Sequence, residues 1–285
     1  MPASFRAELV ACFGQPVDEN PTGAMQEAGF RELGLNWRYL TVEVAPYALA
    51  DAVRGARAFG FAGFNLTIPH KVAVIEHLDE LSEAARLIGA VNTVRREGTR
   101  LIGENTDGKG FLKGLREDAG VDPRGKRVAV LGAGGAARAI VTELTLAGAE
   151  WITVVNRGVT RGEAMVRDLS AKTHSRMGFE QLAGTLWVGP EIDIFVQATS
   201  IGLFPDGDAM APVDFSGANP DLLVADVVFN PPETRLLAAA RAHGLRVLDG
   251  LSMLVHQGTI GFELWTGQRA PEAAMKAALR AALEV

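Results

Sequence analysis

The chain has 285 residues, a formal charge of −6 and a single cysteine. That length suits one large domain or two modest ones, and an acidic balance without a basic run argues against a nucleic-acid surface. No apolar stretch reaches the roughly 18 residues of a membrane helix, and lone Cys12 excludes an internal disulfide framework. Leu9-Val10-Ala11-Cys12 has the form of a lipoprotein cleavage site. Arg6 and Glu8 leave no apolar segment ahead of it, so the expectation is a cytoplasmic protein.

Strand-like and helix-like segments alternate, which predicts an α/β architecture with mainly parallel sheets. The first block reads as strand 9–13, helix 23–33, strand 37–42, helix 48–59 and strand 63–66. A helical stretch at 82–88 follows, then a hairpin of 93–96 with 100–103 about Glu97-Gly98. A helix at 108–119 leads into a second block with strands at 128–131, 151–155, 192–197, 222–228 and 246–248. Their order is that of a doubly wound sheet. Two last helices, 253–265 and 271–283, have no strand left to pair and are expected to return to the first block. The expected division is 1–107 plus 251–285 against 108–250, with a cleft between.

In the second block an apolar strand runs into Gly132-Ala133-Gly134-Gly135-Ala136 and a helix. Gly132 and Gly134 lack side chains that would block close approach of a ligand, and the helix N-terminus suits a pyrophosphate. A dinucleotide site usually carries an acid after the next strand, to receive the ribose 2′-hydroxyl. Here that strand ends in Asn156-Arg157, with Arg161 four residues on. A guanidinium favours a 2′-phosphate, so the expected cofactor is NADP.

Hydride transfer to or from an alcohol needs a group that handles the hydroxyl proton, best with a pKa near the operating pH. Two loops at carboxyl ends of strands carry such groups: Asn65-Leu66-Thr67-Ile68-Pro69-His70-Lys71 and Glu104-Asn105-Thr106-Asp107-Gly108. Ligands of open α/β sheets bind at those ends. From the residues alone, a surface lysine and a helix-capping aspartate are equally good readings.

These segments, with Ile-Gly-Ala-Val-Asn-Thr-Val at 88–94, Ala-Thr-Ser-Ile-Gly at 198–202 and Asp-Gly-Leu-Ser-Met-Leu-Val-His-Gln at 249–257, resemble the shikimate dehydrogenases and their quinate and aminoshikimate relatives. The resemblance runs from Cys12 to Gly267. It implies an N-terminal α/β substrate domain and a Rossmann-type doubly wound NADP-binding domain. It also implies NADP-dependent interconversion of 3-dehydroshikimate and shikimate on the way to aromatic amino acids, by a monomer or homodimer. By the same resemblance, Lys71 is the general acid/base and Asp107 its partner. Thr67, Asn92 and Gln257 hold ring hydroxyls. Gly132, Gly134, Gly135 and Ala136 line the pyrophosphate, and Asn156, Arg157 and Arg161 the 2′-phosphate. Thr199, Gly250 and Met253 border the nicotinamide.

The departures fall on the substrate carboxylate. Where the family has two serines one residue apart, this chain has Asn20 and Thr22; where it has a late tyrosine, the chain has Phe229. Gln197 replaces the asparagine before Ala-Thr-Ser. A hydrogen bond lost from a charged group costs roughly 1.5–3 kcal/mol. The pattern keeps the chemistry and points to altered substrate choice, with quinate, aminoshikimate or another cyclic polyol carboxylate as alternatives. A non-catalytic NADP-binding protein is a further alternative, disfavoured by the retained Lys71 and Asp107. No metal cluster is visible, and His70, His77, His174, His243 and His256 have no evident partners in the sequence.

Overall fold

The computed structural model describes residues 5–284. The chain divides into two compact units, one ending at Thr106 and resuming at Gln257, the other spanning Asp107–His256.

The first unit is built on strands β1 (Glu8–Gly14), β2 (Trp37–Glu43), β3 (Gly63–Leu66), β4 (Glu80–Leu81), β5 (Thr93–Glu97) and β6 (Arg100–Glu104). They form one sheet in the order β2-β1-β3-β5-β6-β4. β1 is parallel to β2 and β3, whereas β5 is antiparallel to β3 and β6. The tight Glu97-Gly98 turn explains the antiparallel pair, since a hairpin reverses the chain and leaves no room for a crossover. Helices α1 (Thr22–Glu32), α2 (Leu49–Phe59), α3 (His70–Ala73) and α4 (Glu83–Ile88) lie between these strands. α2 and α4 end at Gly60 and Gly89, both left-handed, and the Ser82 hydroxyl caps α4. Ala11, Phe13, Val53, Phe64 and Val94 share one core.

The second unit has six parallel strands that matter for the site: β7 (Arg127–Leu131), β8 (Trp151–Asn156), β9 (Arg176–Gln181), β11 (Ile194–Gln197), β13 (Leu223–Asp226) and β14 (Arg246–Leu248). A separate two-stranded sheet pairs β10 (Leu186–Trp187) with β12 (Val213–Asp214). The main order, β14-β13-β11-β7-β8-β9, is the doubly wound one, with its switch point between β7 and β11. The helices are α5 (Thr106–Glu117), α6 (Gly135–Leu146), α7 (Val159–Ser170), α8 (Arg235–Ala242) and the start of α9 (Gly250–Thr266), which passes into the first unit at Gln257. Two apolar clusters cover the sheet, one around Val130, Ile140, Val154 and Val196, the other around Leu131, Phe195, Val224 and Leu237. The even burial of both faces is why these strands read as continuous apolar runs.

β9 escaped sequence reading. Arg-Met-Gly-Phe-Glu-Gln pairs only with β8 and is mostly half-exposed, so it shows neither an apolar run nor a clean alternation. At the end of the chain, α10 (Glu272–Leu283) packs on α1, and Phe262 of α9 stacks on Phe30 at 5.3 Å. Gln26 Nε2 donates to the Gly258 carbonyl at 2.9 Å.

Candidate active site

In the first unit the sequence-predicted residues are set by a buried polar network. Asn92 Oδ1 accepts the Thr106 backbone N–H at 2.7 Å, which caps the start of α5 and places Asp107 in its first turn. Asn92 Nδ2 donates to Thr106 Oγ1 at 3.0 Å, and that hydroxyl donates to Gln257 Oε1 at 3.4 Å. Asn92 and Gln257 are thus brought together through Thr106, across 151 residues of chain. Asn65 extends the network: its Nδ2 donates to the Asn92 carbonyl at 3.1 Å and to Thr93 Oγ1 at 2.9 Å. Its Oδ1 accepts the Tyr39 hydroxyl at 2.7 Å.

Lys71 follows the carboxyl end of β3 on the one-turn helix α3 and is half-buried. Its backbone is held from two sides. The Val91 N–H donates to the Lys71 carbonyl at 2.7 Å, and the adjacent His70 is buried with Nε2 at 2.6 Å from the Val44 carbonyl. Thr67 is drawn against β1, where its N–H donates to the Phe13 carbonyl at 3.0 Å. That approach demands glycine at 14, because a Cβ there would lie 2.2 Å from Thr67 Cγ2. Charge also links Lys71 to β1. Burial pushes the Cys12 thiol up to about 11, against the opposing pull of a Tyr39 hydrogen bond and the nearby Lys71 ammonium. Asn20 and Thr22 stand beside this point: Asn20 Nδ2 donates to Cys12 Sγ at 3.5 Å, and Thr22 opens α1.

The second unit carries the nucleotide fingerprint. Gly132 leaves β7 at φ +124°, and a Cβ on it would sit 2.7 Å from the Ala198 carbonyl, across the sheet's switch point. Around Gly134 and Gly135 there is open space, and no side chain caps α6. Bare amides at a helix N-terminus under an unobstructed approach suit a pyrophosphate. Ala136 is half-buried, while Ala137 is fully buried in the helix–strand contact. Ala137 occupies the third position of the glycine fingerprint, which sequence reading passed over; the spacing from Gly132 was the signal. Asn156 Nδ2 donates to the Gly158 carbonyl at 2.9 Å and shapes the turn before α7. Arg157 and Arg161 are exposed, and among the described residues neither is ion-paired. The residues therefore fit a dinucleotide carrying a 2′-phosphate.

The remaining positions also lie in the second unit. The Thr199 N–H is accepted by Gln197 Oε1, and Gln197 Nε2 donates to the Ile201 carbonyl at 3.0 Å and to Asp226 Oδ1 at 3.2 Å. Gln197 is thus the buried brace of the 198–202 loop. Gly250 starts α9 where a Cβ would meet the Val228 carbonyl at 2.3 Å; Phe229, half-buried, follows directly. Met253 packs its side chain on the core of this unit. His256 has a partner that the sequence hid: its Nε2 lies 3.2 Å from Asp118 Oδ2, which also accepts the Ser252 hydroxyl at 2.6 Å.

Asp226 is buried, and burial raises its pKa from 3.8 to about 6, against the lowering effect of bonds from Val228 N–H and the Thr234 hydroxyl. A carboxyl raised in the folded state costs stability when ionised, and the cost is relieved as pH falls from about 7 towards 4. Asp226→Asn should remove that dependence. The stability gap between wild type and variant, measured by urea unfolding, should move in favour of wild type by about 2 kcal/mol between pH 7.5 and 4.5. A gap independent of pH would refute the assignment.

A doubly wound unit with a glycine turn and exposed Arg157 and Arg161, joined in sequence to an α/β unit with a buried network of amides, has the form of an α/β dehydrogenase. Family models match along the chain: shikimate dehydrogenase substrate binding domain at 12–94, shikimate / quinate 5-dehydrogenase at 116–204, and shikimate 5′-dehydrogenase C-terminal domain at 250–280. The chain is 45% identical over 274 residues to the shikimate dehydrogenase (NADP(+)) of Methanopyrus kandleri, covering 95% of this chain and 94% of the relative. Among solved structures it is similar to the ligand-free 5-ketofructose reductase of Gluconobacter sp. strain CHM43, with 48% identity, TM-score 0.94 and coverage of 98% and 99%. It is also similar to the shikimate 5-dehydrogenase of Thermus thermophilus in complex with NADP(H) and shikimate, with 36% identity, TM-score 0.83 and coverage of 96% and 99%. The chain belongs to the shikimate dehydrogenase family.

Proposed function

We propose that the protein, an NADP-dependent oxidoreductase of this family, reversibly reduces a ketone on a polyhydroxylated small molecule, with 3-dehydroshikimate and shikimate as the first substrate pair. The observation that carries the reading is the Asn65–Asn92–Thr106–Gln257 network, a set of oriented polar groups suited to ring hydroxyls, with Lys71 tied by its backbone carbonyl to Val91, the residue before Asn92. Bound NADPH supplies the hydride to the carbonyl carbon. Lys71 gives its proton to the ketone oxygen as that oxygen gains charge, and takes one from the hydroxyl in the reverse direction. Asp107 is its partner in the proton exchange. Thr67, Asn92 and Gln257 orient the substrate, which lowers the barrier by holding one reactive pose. Arg157 and Arg161 hold the 2′-phosphate; Gly132, Gly134, Gly135 and Ala136 admit the pyrophosphate; Asn156 shapes the adenosine end, and Thr199, Gly250 and Met253 border the nicotinamide. Residues 1–107 with 251–285 serve the substrate and 108–250 the cofactor, in a monomer or homodimer of the cytoplasm.

A second reading is favoured by Asn20 and Phe229. Both replace hydroxyl donors at the expected carboxylate anchor, and the relative of 48% identity is named for 5-ketofructose, a sugar diketone without a carboxylate. Following NADPH oxidation with 3-dehydroshikimate and with 5-ketofructose tests both. Turnover of either supports ketone reduction; turnover of neither, with NADPH bound, overturns it. In the same assay Arg157→Ala should weaken NADPH by about ten- to a hundredfold and leave NADH unchanged. Equal losses for both cofactors would remove the 2′-phosphate role.

A further inference from the structure

Cys12 lies in the middle of β1 at 1% exposure and contributes nothing to the proton chemistry above. Its polar neighbours are Asn20 and Tyr39. Tyr39 has one hydroxyl proton and donates it to Asn65 Oδ1 at 2.7 Å. The sulfur accepts a hydrogen bond from Asn20 Nδ2 at 3.5 Å. Burial keeps both protons in place at neutral pH, raising the thiol to about 11 and the phenol well above its ordinary value.

The consequence falls on Asn20. Its Oδ1 accepts the Thr22 N–H at 3.0 Å, so the first amide of α1, a natural ligand for an anion, is already taken. One Nδ2 proton goes to Cys12, and a carboxamide has only two. A carboxylate offers about four acceptor sites and is held well by paired donors, as two freely rotating serine hydroxyls provide. Here it meets one N–H and the oxygen lone pairs of Asn20. A neutral hydroxyl can use both, donating to that oxygen and accepting that proton.

We propose that Cys12 is a positioning residue: by holding the Asn20 carboxamide in one orientation, it sets the site to accept an uncharged polyhydroxylated ketone in preference to a carboxylate. This rests on the second reading above. The test is steady-state kinetics with NADPH and either 5-ketofructose or 3-dehydroshikimate, for wild type, Cys12→Ala, Cys12→Ser and Asn20→Ser, with thermal midpoints recorded for each. Wild type should prefer 5-ketofructose in kcat/KM. Cys12→Ala should raise KM for 5-ketofructose about five- to tenfold with kcat changed less than about twofold, whereas Cys12→Ser, which keeps a donor and an acceptor, should stay within about twofold of wild type. Asn20→Ser should shift the preference towards 3-dehydroshikimate by at least about tenfold. Equal damage in the alanine and serine variants, tracking the thermal midpoint, would make Cys12 merely structural and overturn the proposal. So would unchanged kinetics in Cys12→Ala, or a wild-type preference for 3-dehydroshikimate, both of which leave the dehydrogenase reading standing. Failure of both ketones with wild type overturns that reading as well.

Discussion

Lys71→Met should lower kcat by about 10²- to 10⁴-fold, the usual worth of a positioned proton donor. The methionine side chain matches the length of the lysine stem but cannot carry a proton to the ketone oxygen. Affinity for NADPH, read by fluorescence of the bound nucleotide, should be unchanged, because the nucleotide fingerprint lies in the other unit at Gly132–Ala137. The fold should survive, since α3 is fixed by its backbone bond to Val91 and by His70 rather than by the ammonium. A variant with wild-type kcat would end the assignment of Lys71 as general acid. A variant that lost NADPH binding in parallel would show a structural role instead.

The second large effect separates two glycines of one motif. Gly132→Ala should destabilise the protein by about 1–3 kcal/mol through backbone strain alone. Its φ of +124° is a region that L side chains rarely adopt, and the added Cβ would lie 2.7 Å from a backbone carbonyl at Ala198. Gly134→Ala should fold like wild type, because its φ is −87° and nothing stands within 4 Å of the new methyl group. That methyl would occupy the approach to the bare amides of α6, so NADPH affinity should drop at least about tenfold. Urea unfolding and nucleotide titration on both variants read the difference. Loss of stability in both, or full NADPH affinity in Gly134→Ala, would contradict the role given to this turn.

Neither prediction needs the whole fold to be read from sequence, and much of it can be. The strands at 63–66 and 246–248 were legible to the residue, and Ser82, Gly60 and Gly89 announce helix ends, because turn chemistry and periodicity act over a few neighbours. β9 was not legible, since a half-exposed edge strand needs only one partner and imposes no strict pattern. Met253 illustrates a different limit: family resemblance implies a place beside the nicotinamide, while its packing on an apolar core is a tertiary fact.

By itself the amino-acid sequence determined the alternation of strands and helices, the glycine turn with the basic Asn156-Arg157 end of the next strand, and the Lys71 and Asp107 loops. All of these are written in residue type and local spacing. Tertiary structure alone decided which polar groups meet: Gln257 with Thr106, His256 with Asp118, Asn20 with Cys12, and Tyr39 with Asn65. Those partners lie on different elements, and their meeting depends on strand order and register. The physical reason is that a buried polar group must find a partner wherever the fold brings one, and no local pattern records which one that is.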